Sequence, residues 1–209
     1  DVKKGWENTK EAVSNASEKA ADKASETYES IKAAVIGEPD ANDKFDKSVT
    51  IDSRMTAAGM IGKPIYNTRN EKIASVKDII IDQDGKATAV IVADGGMMGF
   101  GAKLAAFDYS LVSQRQKDGD VIMPLSEETI KKAAEFSYDA ADAGKQGIRA
   151  IPAGSLSVAA LLDGQIVNPK NETVAQVDNL AFRNGAVSQI IVAFDQTLGM
   201  GGKKAVVDY

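Results

Sequence analysis

The feature that most limits what this chain can fold into is an internal repeat. Residues 89–109 read AVIVADGGMMGFGAKLAAFDY and residues 189–209 read QIIVAFDQTLGMGGKKAVVDY. Gly99, Gly101, Lys103, Asp108 and Tyr109 meet Gly199, Gly201, Lys203, Asp208 and Tyr209 at a constant offset of 100 residues, without a gap. Each copy is a β-branched apolar run, a glycine-rich turn and a second alternating run, the pattern of strand, loop and strand. A chain of 209 residues that is 44% hydrophobic has material for one large or two small cores, and the repeat favours two small ones.

The repeat extends upstream of these stretches. Thr56 and Ser157 are placed to N-cap short apolar turns at 57–61 and 158–162. In the first copy a short strand (64–66), a turn (67–71) and an alternating strand (73–81) lead into a tight hairpin at Asp84 and Gly85. After the strand 89–93, the glycine loop and the strand 105–109 come a closing strand (120–124) and a short helix capped by Ser126, with Glu127 and Glu128 in its first turn. In the second copy Asn168, Asn171 and Glu172 stand where the first has Asn67, Asn70 and Glu71, and the hairpin at Gly185 is one residue shorter. No counterpart of the 120–124 strand follows. The expected division is an N-terminal helix and linker over 1–50, a first barrel-like unit over 51–138, a connection over 139–154, and a second, shortened unit over 155–209.

Residues 2–36 are rich in Ala, Lys, Glu and Ser, and their least polar members, Trp6, Val13, Ala16, Ala20, Ala24, Tyr28, Ile31 and Val35, lie at helical spacing. Val13, Ala24 and Val35 are eleven apart, a period of ~3.67 residues per turn that suits a nearly straight or slightly right-handed association of helices. Gly37 and Pro39 end the helix. A membrane-surface helix gains affinity from large apolar side chains on a basic background. Here the stripe is alanine in its middle and Glu7, Glu11, Glu18, Asp22, Glu26 and Glu29 surround it, so close packing on another helix suits it better. A solvated tail is the third reading.

In Gly59 to Ser110, GMIGKPIYNTRNEKIASVKDIIIDQDGKATAVIVADGGMMGFGAKLAAFDYS, hairpin, glycine loop and final strand occur in an order that resembles the PRC-barrel family, named for the photosynthetic reaction centre. A shorter echo runs from Leu161 to Tyr209. The resemblance implies a mainly β fold of two tandem small, strongly bent PRC-like β-barrels, preceded by the long amphipathic helix, and a role as an interaction module. The family includes the cytoplasmic domain of the reaction-centre H subunit and a domain of a ribosome maturation factor. The transmembrane helix of the first and the companion domain of the second are absent, so neither specific function carries over. The chain looks more like tandem-barrel proteins that many alphaproteobacteria export to the periplasm. Its opening at Asp1 fits either a trimmed chain or a mature form whose leader has been removed. Periplasm or cell envelope is the expected location, with the cytoplasm left open.

The inventory is poor in reactive groups. Without histidine or cysteine, Ser-His-Asp and Cys-His catalysis and imidazole or thiolate zinc sites are excluded. The loop with Gly95, Gly96, Gly99 and Gly101 lacks the Gly-Lys-Ser/Thr ending of a phosphate-binding loop and leads into a strand rather than a helix. Asp82, Asp84 and Gly85 begin like a calcium loop but lack its distal glutamate, and the second copy has Arg183, Asn184 and Gly185 there. Lys103 and Asp108 recur in both copies but would serve catalysis only in a desolvating pocket, as would Asp78. No catalytic residue, cofactor or metal is therefore expected. The net charge of -5 argues against nucleic acid as the main partner, and no apolar run approaches the ~20 residues of a membrane span.

The partner-binding candidates are the helix stripe and the loop residues Met97, Met98 and Phe100, with Leu198 and Met200 at the same place in the second copy. Large apolar side chains on a loop either cover a barrel end or meet a partner. The expected function is that of a non-enzymatic structural or assembly protein of the bacterial cell envelope. It would bind protein partners, or self-associate through the N-terminal helix, with peripheral membrane contact left open. The alternatives are an accessory subunit of a photosynthetic or respiratory membrane complex, and a ribosome or RNA assembly factor.

Overall fold

The computed structural model describes residues 55–94, 102–114, 118–162, 164–167, 169–194 and 204–209. A helical turn, α1 (Ala57–Met60), leads into β1 (Pro64–Tyr66), β2 (Lys72–Ile81), β3 (Ala87–Asp94) and β4 (Leu104–Asp108). A 3-10 turn (Tyr109–Leu111), β5 (Ser113–Gln114), β6 (Val121–Ile122) and α2 (Glu127–Lys132) follow. The connection forms β7 (Glu135–Ser137), a 3-10 turn (Ala140–Asp142) and β8 (Ile148–Ala150). The second half begins with β9 (Leu156–Ser157) and α3 (Val158–Leu161) and continues as β10 (Gln165–Val167), β11 (Thr173–Arg183), β12 (Ala186–Phe194) and β13 (Lys204–Asp208).

Local chemistry explains these boundaries. Thr56, Ser126 and Ser157 each accept a backbone N–H three residues on, the N-cap arrangement expected of them. At the β1–β2 turn the Asn67 side-chain oxygen accepts from the amides of Arg69 and Glu71, and Asn70 takes the left-handed conformation at φ 64°. Asp82 spends its carboxylate in the same way, accepting from the amides of Asp84 and Lys86, so this acidic pair is a turn device. The second hairpin closes through Asn184 and Gly185, both at positive φ, as a two-residue turn of right-handed twist requires.

The first sheet has the order β4-β3-β2-β1-β6-β5, with β9 added to β2, and the second has the order β10-β11-β12-β13. The fold is mainly β. Among the described residues neither strand path returns to its first member. Side chains do the closing in the first half. β6 runs parallel to β1, bringing Val121 and Met123, both at 0% exposure, over Val90, Val92 and Ala105, and Ile130 of α2 packs on the same cluster.

The two halves exchange their leading segments. β9, at the head of the second half, pairs with β2 of the first, Ser157 opposite Ile80. In return Thr56, at the head of the first half, bridges Ala181 on β11. The hairpin tips meet as well, since the amide of Ala87 donates to the Gly185 carbonyl and that of Val187 to the Gly85 carbonyl, both at 2.8 Å. A shared core forms at this seam from equivalent residues, Ala57, Ile79, Ile81 and Ala87 with Val158, Leu180, Phe182 and Val187. Reciprocal contacts of this kind are those of an isologous two-fold dimer, here within one chain.

The 139–154 connection carries a 3-10 turn and β8. β7 and β8 pair in parallel, and Phe136 at 6% exposure covers Ile80, Ala89, Ile91 and Ala106 on the outer face of the first sheet, with Ile151 beside it.

Candidate functional site

The most polar point of the interior lies at the seam. β2 and β3 slip register between Val76 and Asp78, and β11 and β12 slip between Val177 and Asn179, the equivalent place. A bulge kinks a strand and re-aims a side chain. Asp78 is fully buried. Its Oδ1 accepts from the amides of Ile79 (2.7 Å) and Ala159 (2.8 Å), and its Oδ2 accepts from the Tyr138 hydroxyl (2.9 Å) and the Ser157 hydroxyl. Four donors match the capacity of a carboxylate, so no lone pair remains for a substrate or an ion. Burial, the Asp78 charge and this hydrogen bond push the Tyr138 phenol up from its ordinary value. Asn179 performs the mirror task with less, its Oδ1 accepting from the amides of Ala58 (3.0 Å) and Leu180 (2.9 Å). The pair is a clamp holding each half to the other's leading helix.

Lys103, Asp108 and Asp78 are each engaged by different partners. Lys103 Nζ donates to the carbonyls of Lys131 and Ala133 at the end of α2, satisfying orphan helix carbonyls. Asp108 caps the 3-10 turn through the Ser110 amide, and hydrogen bonding from the Ser110 side chain, with that amide, holds its pKa below the usual value. Asp208 accepts from Gln189 Nε2. A surface hollow of about 420 Å³ is lined by Asn67, Thr68, Arg69, Pro124, Leu125, Ser126 and Thr129, and no group of three metal-binding side chains occurs among the described residues.

The partner-binding candidates Trp6, Val13, Ala16, Ala20, Ala24, Tyr28, Ile31 and Val35, and Met97, Met98, Phe100, Leu198 and Met200, all lie outside the described residues. The base of the first glycine loop is described. Asp94 and Lys103 pair there, the Lys103 amide donating to Asp94 Oδ1 and the Asp94 amide to the Lys103 carbonyl.

A surface that the sequence reading did not name is the inner face of the second sheet. Val76, Val90 and Ala105 of the first half are 2%, 0% and 0% exposed, whereas their equivalents Val177, Ile190 and Ala205 are only partly buried around a smaller cluster of Ile166, Ala175, Val192 and Phe194. Among the described residues nothing stands beside β10 as β6 stands beside β1.

No described helix is long and apolar enough to cross a membrane. No curated protein matches the chain. Residues 53–129 match the family model described as the PRC-barrel domain, a span that begins just before the Thr56 cap and ends in α2, so that it contains β1 to β6 and the first core apart from Ile130. On the strand order, the shared core and that match, this chain carries a PRC-barrel domain at residues 53–129.

Proposed function

We propose that the protein is a non-enzymatic structural or assembly component of the bacterial cell envelope, in which two PRC-like barrels and a long N-terminal helix bind protein partners or further copies of the chain. The observation that carries this reading is the half-covered inner face of the second sheet. The same four-strand unit that is closed by β6 and α2 in the first half presents Val177, Ile190, Ala205 and Val207 partly open in the second. A partner fits there by setting a strand beside β10 and an apolar helical face over these side chains, the β-augmentation mode in which main-chain bonds give affinity. The saturated Asp78 and the capping roles of Lys103 and Asp108 support a structural use of the polar residues. An envelope location and the alanine stripe of the helix belong to the same proposal.

Sedimentation of the full chain over a range of concentrations, with and without envelope extract, tests it. Assembly, or capture of a defined partner, weakened by both Ala20→Leu and Ile190→Lys with the circular dichroism of the sheets retained, is the expected result. A strict monomer with no partner, unaffected by either change, would overturn it.

A further inference from the structure

We propose that β13 is a self-pairing edge: it lies antiparallel beside β13 of a second copy of the chain, about a two-fold axis at Val206, so that two second sheets join into one. β13 ends its sheet, and among the described residues no strand pairs with its far side. The Tyr209 amide donates to the Ser188 carbonyl (3.0 Å), in register with the pairing of Val207 with Ile190 and of Ala205 with Val192. Bonded pairs alternate along an antiparallel ladder, so Ala205 and Val207 give their main-chain groups to β12, whereas those of Lys204, Val206 and Asp208 face outward. The side chains of Lys204, Val206 and Asp208 are also the exposed ones of the strand, while Ala205 and Val207 pack half-buried on the apolar cluster.

The equivalent edge of the first half is blocked. Ala106 of β4 corresponds to Val206, and its outward carbonyl accepts from the Arg149 side chain at 2.8 Å. Ala106 is 6% exposed where Val206 is 41%. An open edge is a template for another strand, and charge selects a second copy as the strand that fits. With the axis at Val206, Lys204 stands opposite Asp208 of the second copy and Asp208 opposite its Lys204, on either side of a contact between the two Val206 side chains. Each of these pairs exchanges both main-chain bonds, and unlike charges directly opposite are favourable. An axis at Ala205 would set Lys204 against Val206, and one at Val207 would set Asp208 against Val206, leaving the charges unmatched. On β4 the same positions are Leu104, Ala106 and Asp108, which lack the complementary pair. Within its own copy Lys204 reaches Asp178 (2.8 Å) and Asp208 accepts from Gln189 (3.1 Å), and both remain exposed. The proposed function sets its partner beside β10, the opposite edge of this sheet, so the inference does not rest on that reading.

Sedimentation of the full-length protein is expected to show a concentration-dependent equilibrium between monomer and dimer. Val206→Pro removes an outward amide and leaves every bond to β12 in place, so it should abolish the dimer with the circular dichroism of the sheets retained. Lys204→Glu and Asp208→Lys each set like charges against one another at both ends of the paired strands, and each alone should raise the dimer Kd at least about tenfold. An equimolar mixture of those two variants restores unlike pairs and should associate as a heterodimer, which a mere loss of folding would not allow. The chain has no cysteine, so Val206→Cys, at the axis, is expected to oxidise to a disulfide-linked dimer, and Lys72→Cys, on the first sheet, is not. A strict monomer, a mixture that fails to associate, or equal cross-linking at the two positions would overturn the proposal. Association kept in Val206→Pro but lost in Ile190→Lys would overturn it too, while leaving the reading of the β10 face standing.

Discussion

The two halves use one strand order and differ in what covers it. In the first, β2 and β3 are sealed on both sides, by β6 and α2 within and by β7 and β8 without, and Ile80, Val90, Ile91 and Val92 are all at 0% exposure. In the second, the corresponding sheet carries an exposed Val206 outside and partly open Ile190 and Val207 inside. The comparison teaches that the repeated unit is a scaffold whose cores are completed by additions. In the first half the chain itself supplies them, and among the described residues the second half has no equivalent of β6 or α2. The clamp differs in the same sense, a charged four-bond Asp78 on one side and a two-bond Asn179 on the other.

The largest effect expected from breaking this comparison is on the covers of the first half. Phe136→Ala should destabilise the protein by about 3–5 kcal/mol and Ile130→Ala by about 2–5 kcal/mol, read from urea midpoints, whereas Val207→Ala, on the half-open face, should cost less than about 1 kcal/mol. Equal losses at Ile130 and Val207 would mean that the second core is as closed as the first.

The clamp comes next. Asp78→Ala leaves the Ala159 amide and two hydroxyls without their acceptor, at about 2–4 kcal/mol, while Asn179→Ala should cost about 1 kcal/mol. Asp78→Asn makes the two halves alike. The Tyr138 and Ser157 hydroxyls can rotate to accept from its amide, so it should fall between the two, and the Tyr138 phenol, relieved of the facing charge, should titrate at lower pH than in the parent.

A smaller contrast sits at the hairpin tips. Gly85 and Gly185 have φ 78° and 77°, and a Cβ at Gly85 would stand 2.4 Å from the Tyr209 ring, but one at Gly185 would stand 4.0 Å from the Tyr109 ring. Both alanine variants should lose about 1 kcal/mol to left-handed strain. Gly85→Ala should also displace Tyr209, whose hydroxyl donates to the Gln83 carbonyl, and so lower the melting temperature more than Gly185→Ala.

The smallest expected effect is a pH dependence confined to the connection. Asp142 accepts from Lys145 and from the Ser137 hydroxyl, bonds that hold its pKa below the ordinary carboxylate value. A depressed folded pKa means that the unfolded chain takes up protons first, so this contribution is present above the unfolded value near 4 and is lost as pH falls through the folded one. Asp142→Asn should flatten that part of a melting curve series between pH 5 and pH 2, two conditions chosen to bracket the transition.

Much of the local structure was legible because it depends on neighbours in sequence. The caps at Thr56, Ser126 and Ser157 need only a hydroxyl three residues ahead of an amide, and the turns at Asn67, Asp82 and Asn184 need only a short polar side chain and a residue that tolerates positive φ. The contacts of the 139–154 connection were not legible, because Ala and Gly are its commonest residues and the side chains that hold it to the first sheet, Phe136 just before it and Ile151 and Arg149 within it, act on strands distant in sequence. Nothing local marks Asp78 either. It stands in an alternating strand as an ordinary polar residue, and the amide that completes its site is 81 residues away along the chain.

By itself, then, the sequence determined a β-rich chain built on one repeated strand–loop–strand unit and the position of its turns, because hydrophobic periodicity and turn chemistry act over a few residues. Only the tertiary structure decided that the halves exchange their leading segments and bury a carboxylate between them, and that equivalent strands end as core in one half and as surface in the other. Those outcomes depend on which distant segment reaches a sheet face first and satisfies its polar groups, and a buried group at a bulge is stable only when every partner has arrived.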